Sequence, residues 1–413
     1  MAQSDELTVC SEGVPEQPGP PKRLVVLLAV ACGLTIANLY YAQPLLSALR
    51  QTFGVGEVAV GGVVTASQLG YAAGLFLVVP LGDRVEKRRL VTLLLALATA
   101  ALVVAGTAPD FPVLLAASLF GATPLVLAQI LVPFAADLAP DRTRGRIVGQ
   151  VMTGLLAGIL LSRTLGSLLA DAAGWRVVYL TSAALMAVLA CVLRAALPSR
   201  APSVSITYGD LLRSTAGLMR RHPELRRRAL YQSAMFGAFS AFWTTISFVL
   251  TGAPFHYSEL GVGLFALVGA GGVLVAPFAG RWADRGLVRS MTAAALVAAA
   301  LAFALAGFGR HQVVALGLAA ILLDMAVQTT LILGQQVIYR LDPEARSRLN
   351  SAFMATFFVG GAVGSQAGSI AYHAGGWAAV SVLGAALPLL ALLLWAAEKS
   401  PRPTGDGTST PVP

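Results

Sequence analysis

The chain has 413 residues, 56% of them hydrophobic and only 12% charged, with a mean hydropathy of +0.75. Soluble domains carry about 25% charged residues, so a soluble protein is excluded and an integral membrane protein is indicated. The three cysteines (Cys10, Cys32, Cys191) exclude a disulfide scaffold, and the net charge of +9 lies in short Lys/Arg clusters between apolar segments, not on the single basic surface that nucleic acid requires.

Residues 1–21 are acidic and Pro-rich, with no basic stretch ahead of an apolar one. They read as a disordered tail, not a signal peptide. Twelve apolar stretches follow, each near the roughly 20 residues that cross a bilayer. Spans 1 to 6 are 24–49, 58–82, 90–109, 111–136, 147–170 and 177–197. Spans 7 to 12 are 229–250, 260–280, 290–309, 312–337, 350–372 and 378–397. Between the two sets, 198–228 carries seven arginines, and within it Leu211, Leu212, Thr215, Leu218 and Met219 share one helical face. An amphipathic helix at the lipid interface, ended by Pro223, is expected there, with its arginines at the anionic leaflet. Residues 399–413 read as a second disordered tail.

Orientation follows from the basic residues. With the N-terminus cytoplasmic, all 29 Lys and Arg fall in tails and cytoplasmic loops except Arg50, Arg176, Arg310, Arg163 and Arg194. Both termini are therefore expected inside, in a multi-pass protein of the plasma (inner) membrane.

The two sets of spans repeat. A shift of 202 residues places Arg146 on Arg348, Met152 on Met354, Gly158 on Gly360, Gly166 on Gly368, Ser167 on Ser369, Gly174 on Gly376 and Trp175 on Trp377. A shift of 201 places Asp83-Arg84 on Asp284-Arg285. Parallel repeats of this kind predict an all-α membrane protein of 12 helices in two pseudo-symmetric six-helix bundles, 22–197 and 229–398. The substrate site then lies between the bundles near the midplane.

Particular motifs sharpen this. After span 2, Leu81, Gly82, Asp83, Arg84, Lys87 and Arg88 match the loop motif G-x-L-[AG]-D-R-x-G-[RK]-[RK], and 280–285 is a second copy after span 8. With these two copies the chain resembles the major facilitator superfamily of transporters from about residue 22 to 398. Span 5 is similar to the superfamily's antiporter signature at Gly149, Gly158 and Gly166, with Ser162 and Ser167 for glycines and Arg163 where proline is usual. In span 4, Gly121 matches the R-x-x-Q-G motif, but Ala117 and Phe120 replace its Arg and Gln. The stretch Asn38-Leu39-Tyr40-Tyr41-Ala42-Gln43-Pro44 resembles a bacterial branch of efflux permeases. The resemblance implies drug or small-molecule efflux, as in drug resistance, and a monomer.

Asp324 is the only acid well inside a span, and Arg163 is the matching base. Their depths, about 16 Å and about 10 Å below the non-cytoplasmic ends of spans 10 and 5, allow a bridge if the helices face. Asp324 is then a protonation site, a counter-ion for a cationic substrate, or a permanent partner of Arg163. At 100° per residue Gly317, Asp324, Gln328, Leu331 and Gln335 form one stripe of span 10. Gln232, Phe236, Phe239, Trp243 and Ser247 form one in span 7, Asn38 and Tyr41 share a face of span 1, and span 4 adds Gln129. Spans 1, 4, 7 and 10 line the cavity in the resembling superfamily. Aromatic groups with a few amides suit an amphipathic organic substrate, although Phe236 and Phe239 serve equally well as helix packing.

The loop residues Asp83, Arg84, Arg88, Asp284 and Arg285 read as gating latches, with Asp83 capping a helix N-terminus and Asp137 as the partner of Arg84 or Arg88. No metal cluster, nucleotide loop or catalytic dyad can be assembled, so no enzyme activity and no cofactor are expected. The expected partners are a small-molecule substrate, protons and the lipid bilayer, without nucleic acid. The leading reading is a proton-coupled antiporter exporting amphipathic small molecules. The alternative is uptake or facilitated diffusion of a small organic solute, and a non-transporting sensor is the remote third.

Overall fold

A computed structural model describes residues 20–198, 207–342 and 345–398. The two expected disordered tails, apart from residues 20–21, lie outside the described residues. Every regular element among the described residues is a helix. Among the described residues nine helical stretches are long and apolar enough to cross a membrane. One of them, Arg346–Ala396, is two spans joined at Gly375 and Gly376, whose backbone angles leave the helical region. Spans 1 and 8 complete the twelve in broken form. Span 1 is Lys22–Ala37, a run of turns and then Leu46–Phe53. Span 8 is Glu259–Ala266, a 3-10 turn at Leu267–Ala270, then Gly271–Asp284.

The chemistry of the breaks is local. Pro44 lies within the turns of span 1 and has no N–H to give a helix. In span 4 a 3-10 turn at Thr123–Val126 holds Pro124 and separates Phe111–Ala122 from Leu127–Leu138. There the Thr123 hydroxyl donates to the carbonyl of Gly70 in span 2 at 3.1 Å.

The sequence repeat has a physical counterpart. Gly174 and Gly376, which match at a shift of 202, both adopt positive φ, 85° and 62°. Each is followed by a buried Trp whose indole N–H is bonded, Trp175 to the Thr52 hydroxyl at 3.0 Å and Trp377 to the Ala306 carbonyl at 2.9 Å. Spans 1 and 5 touch backbone to backbone: a Cβ on Gly33 would meet the Gly154 carbonyl at 2.6 Å, and one on Gly158 would overlap the Gly33 carbonyl. Spans 7 and 11 repeat this with Gly237, Gly360 and Gly364. Small residues let membrane helices approach where no hydrophobic effect pulls them together.

The two halves meet chiefly through spans 2 and 11. The Thr65 hydroxyl donates to Gln366 Oε1 at 3.2 Å, Gln68 Nε2 donates to the Ser240 hydroxyl at 3.0 Å, and the Tyr71 and Phe358 rings lie 4.4 Å apart. At the face opposite Lys22 and Glu398, here the far face, Ser47 and Thr251 share a hydrogen bond of 3.1 Å across the halves. Nearby, the Thr164 hydroxyl donates to the Gly263 carbonyl at 2.8 Å. The far face is therefore closed.

The linker helix Tyr208–Arg221 forms, with Thr207 as its N-cap and Pro223 opening the next helix. Part of its apolar face turns to the protein, with Leu212 and Met219 left half-buried. Leu211, Thr215 and Leu218 are buried against the protein. Tyr208 donates to the Leu77 carbonyl of span 2 at 2.6 Å, and Arg348 of span 11 donates to the Ser214 hydroxyl at 3.0 Å. The helix thus straps both halves on the face that carries Lys22, leaving Arg213, Arg220 and Arg221 exposed. Protein packing claims the apolar stripe because the ends of spans 2 and 11 offer it a drier surface than water does.

Candidate functional site

Arg163 lies inside span 5, in the part nearer the far face, and is 3% exposed. Its Nε donates to Gln43 Oε1 at 2.9 Å. Its guanidinium lies 5.0 Å from the Tyr40 ring, 5.7 Å from Phe239 and 4.6 Å from Trp243. Nη2 is buried and has no hydrogen-bond partner. Burying a cation costs several kcal/mol. A charge-assisted hydrogen bond returns about 1.5–3 kcal/mol, and each ring face about 0.5–2 kcal/mol.

Asp324, 8% exposed, is reached through Trp243, whose Nε1–H donates to Asp324 Oδ1 at 3.0 Å. Its Oδ2 faces span 8, where a Cβ on Gly269 would stand 2.6 Å away. Gly272 packs on the Asp324 backbone in the same way, at 3.1 Å. No ion pair joins Arg163 and Asp324. One indole links them instead, its face toward the cation and its N–H on the carboxylate. Spans 1, 5, 7, 8 and 10 thus each place a group in one buried polar cluster inside an aromatic wall.

Of the residues chosen from sequence, Arg163, Asp324, Phe239 and Trp243 come together here. Phe236 stacks on Phe357 of span 11 with centroids 3.7 Å apart and on Phe239 at 5.3 Å, so it supports the cluster from behind. Gln232 lies one turn further along, donating to the Val327 carbonyl at 3.5 Å with its own Oε1 unpartnered. Gln328 is half-buried, and Gln129 approaches the Tyr71 hydroxyl.

Asn38 and Tyr41 are elsewhere. Asn38 donates to the Leu34 carbonyl and accepts from the Ser182 hydroxyl at 2.5 Å, inside the first bundle. Tyr41 lines an apolar groove of about 400 Å³ between spans 1 and 5. Their places at the cluster are taken by Tyr40 and Gln43, which the helical wheel missed because 38–45 is a run of turns. The polar stripe of span 10 also divides: Asp324 faces span 8, whereas Gln335 donates to Asn350 of span 11 at 3.2 Å.

Among the proposed latches, Asp137 accepts from Lys87 at 2.7 Å, and the same ammonium lies 5.1 Å from the Phe134 ring. Lys87, next to Arg88 in the motif, is thus a partner of Asp137 in place of the Arg84 or Arg88 expected. Arg84, Asp284 and Arg285 are exposed, and Arg88 is half-buried. The Asp83 side chain lies outside the described residues. Among the described residues no group of His, Cys, Asp and Glu is placed to hold a metal.

Comparison with known proteins agrees with this architecture. The family model of the Major Facilitator Superfamily matches residues 28–285 and 232–412. The chain is 41% identical over 372 residues to the uncharacterized transporter YgaY of Escherichia coli O157:H7, covering 90% of this chain and 94% of that one. It is 36% identical over 366 residues to the probable transporter SCO4007 of Streptomyces coelicolor, covering 88% and 85%. Among solved structures it is similar in fold to the nucleoside transporter NupG, with a TM-score of 0.72 at 17% identity over 91% and 98% of the two chains. It is also similar to the human organic anion transporter MFSD10, with a TM-score of 0.67 at 22% identity over 91% and 100%. By family model, close relatives and fold alike, the chain is a multi-pass membrane transporter of the Major Facilitator Superfamily.

Proposed function

We propose that the protein is a secondary active transporter of the inner membrane that exports amphipathic small molecules in exchange for protons. In this reading both termini are cytoplasmic, and the closed far face points outward. The observation that carries it is Asp324: a buried carboxylate with no ion-pair partner, held by a single indole N–H where both halves converge. An intramembrane acid so placed suits a proton carrier, since it is costly to keep ionised and accessible once the halves rock apart. The aromatic wall of Tyr40, Phe239 and Trp243 supports an amphipathic substrate. Gly158, in register with the antiporter signature, packs on the backbone of span 1, which supports the export direction only by resemblance.

One observation favours the alternative of proton-independent movement. Span 4 has Ala117 where the superfamily's usual arginine stands, so the common relay has no counterpart there. The test is efflux of fluorescent amphipathic compounds from everted vesicles, with and without an imposed pH gradient, for wild type, Asp324→Asn and Arg163→Ala. Export by antiport predicts gradient-driven transport that Asp324→Asn abolishes. Transport indifferent to the gradient, with Asp324→Asn still active, sinks the antiport reading and leaves facilitated diffusion or uptake.

A further inference from the structure

The cluster holds a guanidinium and a carboxylate that do not form an ion pair. Arg163 is 3% exposed, carries a buried Nη2 with no hydrogen-bond partner, and makes no ion pair. Nε is engaged by Gln43, and the guanidinium lies 4.6 to 5.7 Å from the rings of Tyr40, Phe239 and Trp243. The nearest acid is Asp324, whose Oδ1 is engaged by the same Trp243 and whose Oδ2 faces Gly269 of span 8. Arg163 therefore presents a buried, unpartnered Nη2 amino group beside aromatic rings.

We propose that Arg163 is the anion-binding residue of the substrate site, and that the substrate is an organic anion: a carboxylate on an aromatic or similarly flat apolar body. The carboxylate takes the unpartnered Nη2 edge, where a guanidinium offers geometry an ammonium cannot. The apolar body lies against Tyr40, Phe239 and Trp243. Asp324 stays on the far side of the indole and does not compete for the same edge in this arrangement. The proposal rests on the reading of this cluster as the transport site, and it replaces "amphipathic" with a sign of charge.

The probe is a matched set on one ring system: 2-naphthylacetate, 2-naphthylacetamide and 2-naphthylmethylammonium. Binding is measured on the purified full-length protein by tryptophan fluorescence and melting temperature, with no gradient present. Wild type is expected to bind the carboxylate about tenfold or more tighter than the amide, as a charge-assisted hydrogen bond implies, and the ammonium weakest. Arg163→Met is expected to bring the carboxylate and amide affinities together. Arg163→Lys, which keeps the charge but loses the planar edge, is expected to retain part of the preference, and it controls for folding. Asp324→Asn is expected to leave the preference in place. Preference for the ammonium, an undiminished carboxylate preference in Arg163→Met, or no binding of the carboxylate at all would each overturn the proposal. The outcome is separable from the export reading. Carboxylate selectivity with gradient-independent transport defeats antiport alone, whereas gradient-driven transport of the amide or ammonium in preference defeats the anion site alone.

Discussion

Gly269→Ala adds a single methyl group to the site without touching a charge. A Cβ there stands 2.6 Å from Asp324 Oδ2 and 3.1 Å from Cζ2 of Trp243. Ordinary contact begins at 3.4 Å, so the carboxylate must retreat by about 0.8 Å. A carboxylate that shifts or turns to clear the methyl carries Oδ1 with it and strains the 3.0 Å bond from Trp243, which stops being a hydrogen bond beyond roughly 3.5 Å. A hydrogen bond to a charged group is worth about 1.5–3 kcal/mol. If that bond orders Asp324 for turnover, its loss slows transport roughly 10- to 100-fold. The control is Gly280→Ala in the same span, where a Cβ would meet nothing within 4 Å. Initial rates of gradient-driven efflux in everted vesicles, at matched protein and with melting temperatures of the purified variants, decide it. A folded Gly269→Ala that transports at the wild-type rate would refute the role given to the Trp243–Asp324 contact.

Two glycines of the antiporter-like motif should part company. Gly158→Ala drives a methyl into the Gly33 backbone and costs about 1–3 kcal/mol of overpacking, against roughly 1 kcal/mol of helix propensity gained. Gly149→Ala meets nothing within 4 Å and keeps the gain, so unfolding should show opposite signs; equal effects would contradict the span 1–span 5 packing. Ser47 and Thr251, 3.1 Å apart at the far face, should cross-link as Ser47→Cys with Thr251→Cys in a background lacking Cys10, Cys32 and Cys191. Oxidation is expected to stop turnover and reductant to restore it, and continued turnover in the fully cross-linked protein would mean this face need not open. Combining Tyr208→Phe with Arg348→Ala removes the hydrogen bonds of the linker helix to spans 2 and 11, each worth about 0.5–1.5 kcal/mol. Amide exchange across Tyr208–Arg221 should then rise, and unchanged protection would show that the packing of Leu211, Thr215 and Leu218, with the Arg226 bonds to the Met219 and Arg220 carbonyls, suffices to hold the helix.

The twelve spans were legible because lipid demands about 20 apolar residues per crossing, and that demand is written in composition. What sits at the centre was legible only in part. The helical wheel assumes an unbroken helix, so it chose Asn38 and Tyr41 in a segment that the chain turns through before Pro44. The residues that reach Arg163 are Tyr40 and Gln43, one position before Tyr41 and two after it. Depth arithmetic is one-dimensional in the same way. It placed Arg163 and Asp324 near one level but had no means of finding Trp243 between them, because that depends on how span 7 is rotated. In span 10 the wheel put Asp324 and Gln335 on one stripe, yet the stripe meets span 8 at one level and span 11 at another.

The repeat separates framework from function more sharply than any single motif. Residues that match between the halves are those that hold helices together: Gly158 and Gly360 in backbone contacts, Gly174 and Gly376 in tight turns, Trp175 and Trp377 in indole anchors. The charged groups break it. At the same shift of 202 residues Arg163 falls on Ser365, which is buried and bonds the Thr244 hydroxyl at 3.1 Å, and Asp324 falls on Ala122. A two-fold scaffold gains nothing in stability from a buried guanidinium on one side and a buried carboxylate on the other, each without an ion-pair partner. Departures of this kind from a local rule are where function is expected. An asymmetric pair at a symmetric interface also suits a substrate with two unlike ends, one charged and one flat and apolar, held in a single orientation between the halves.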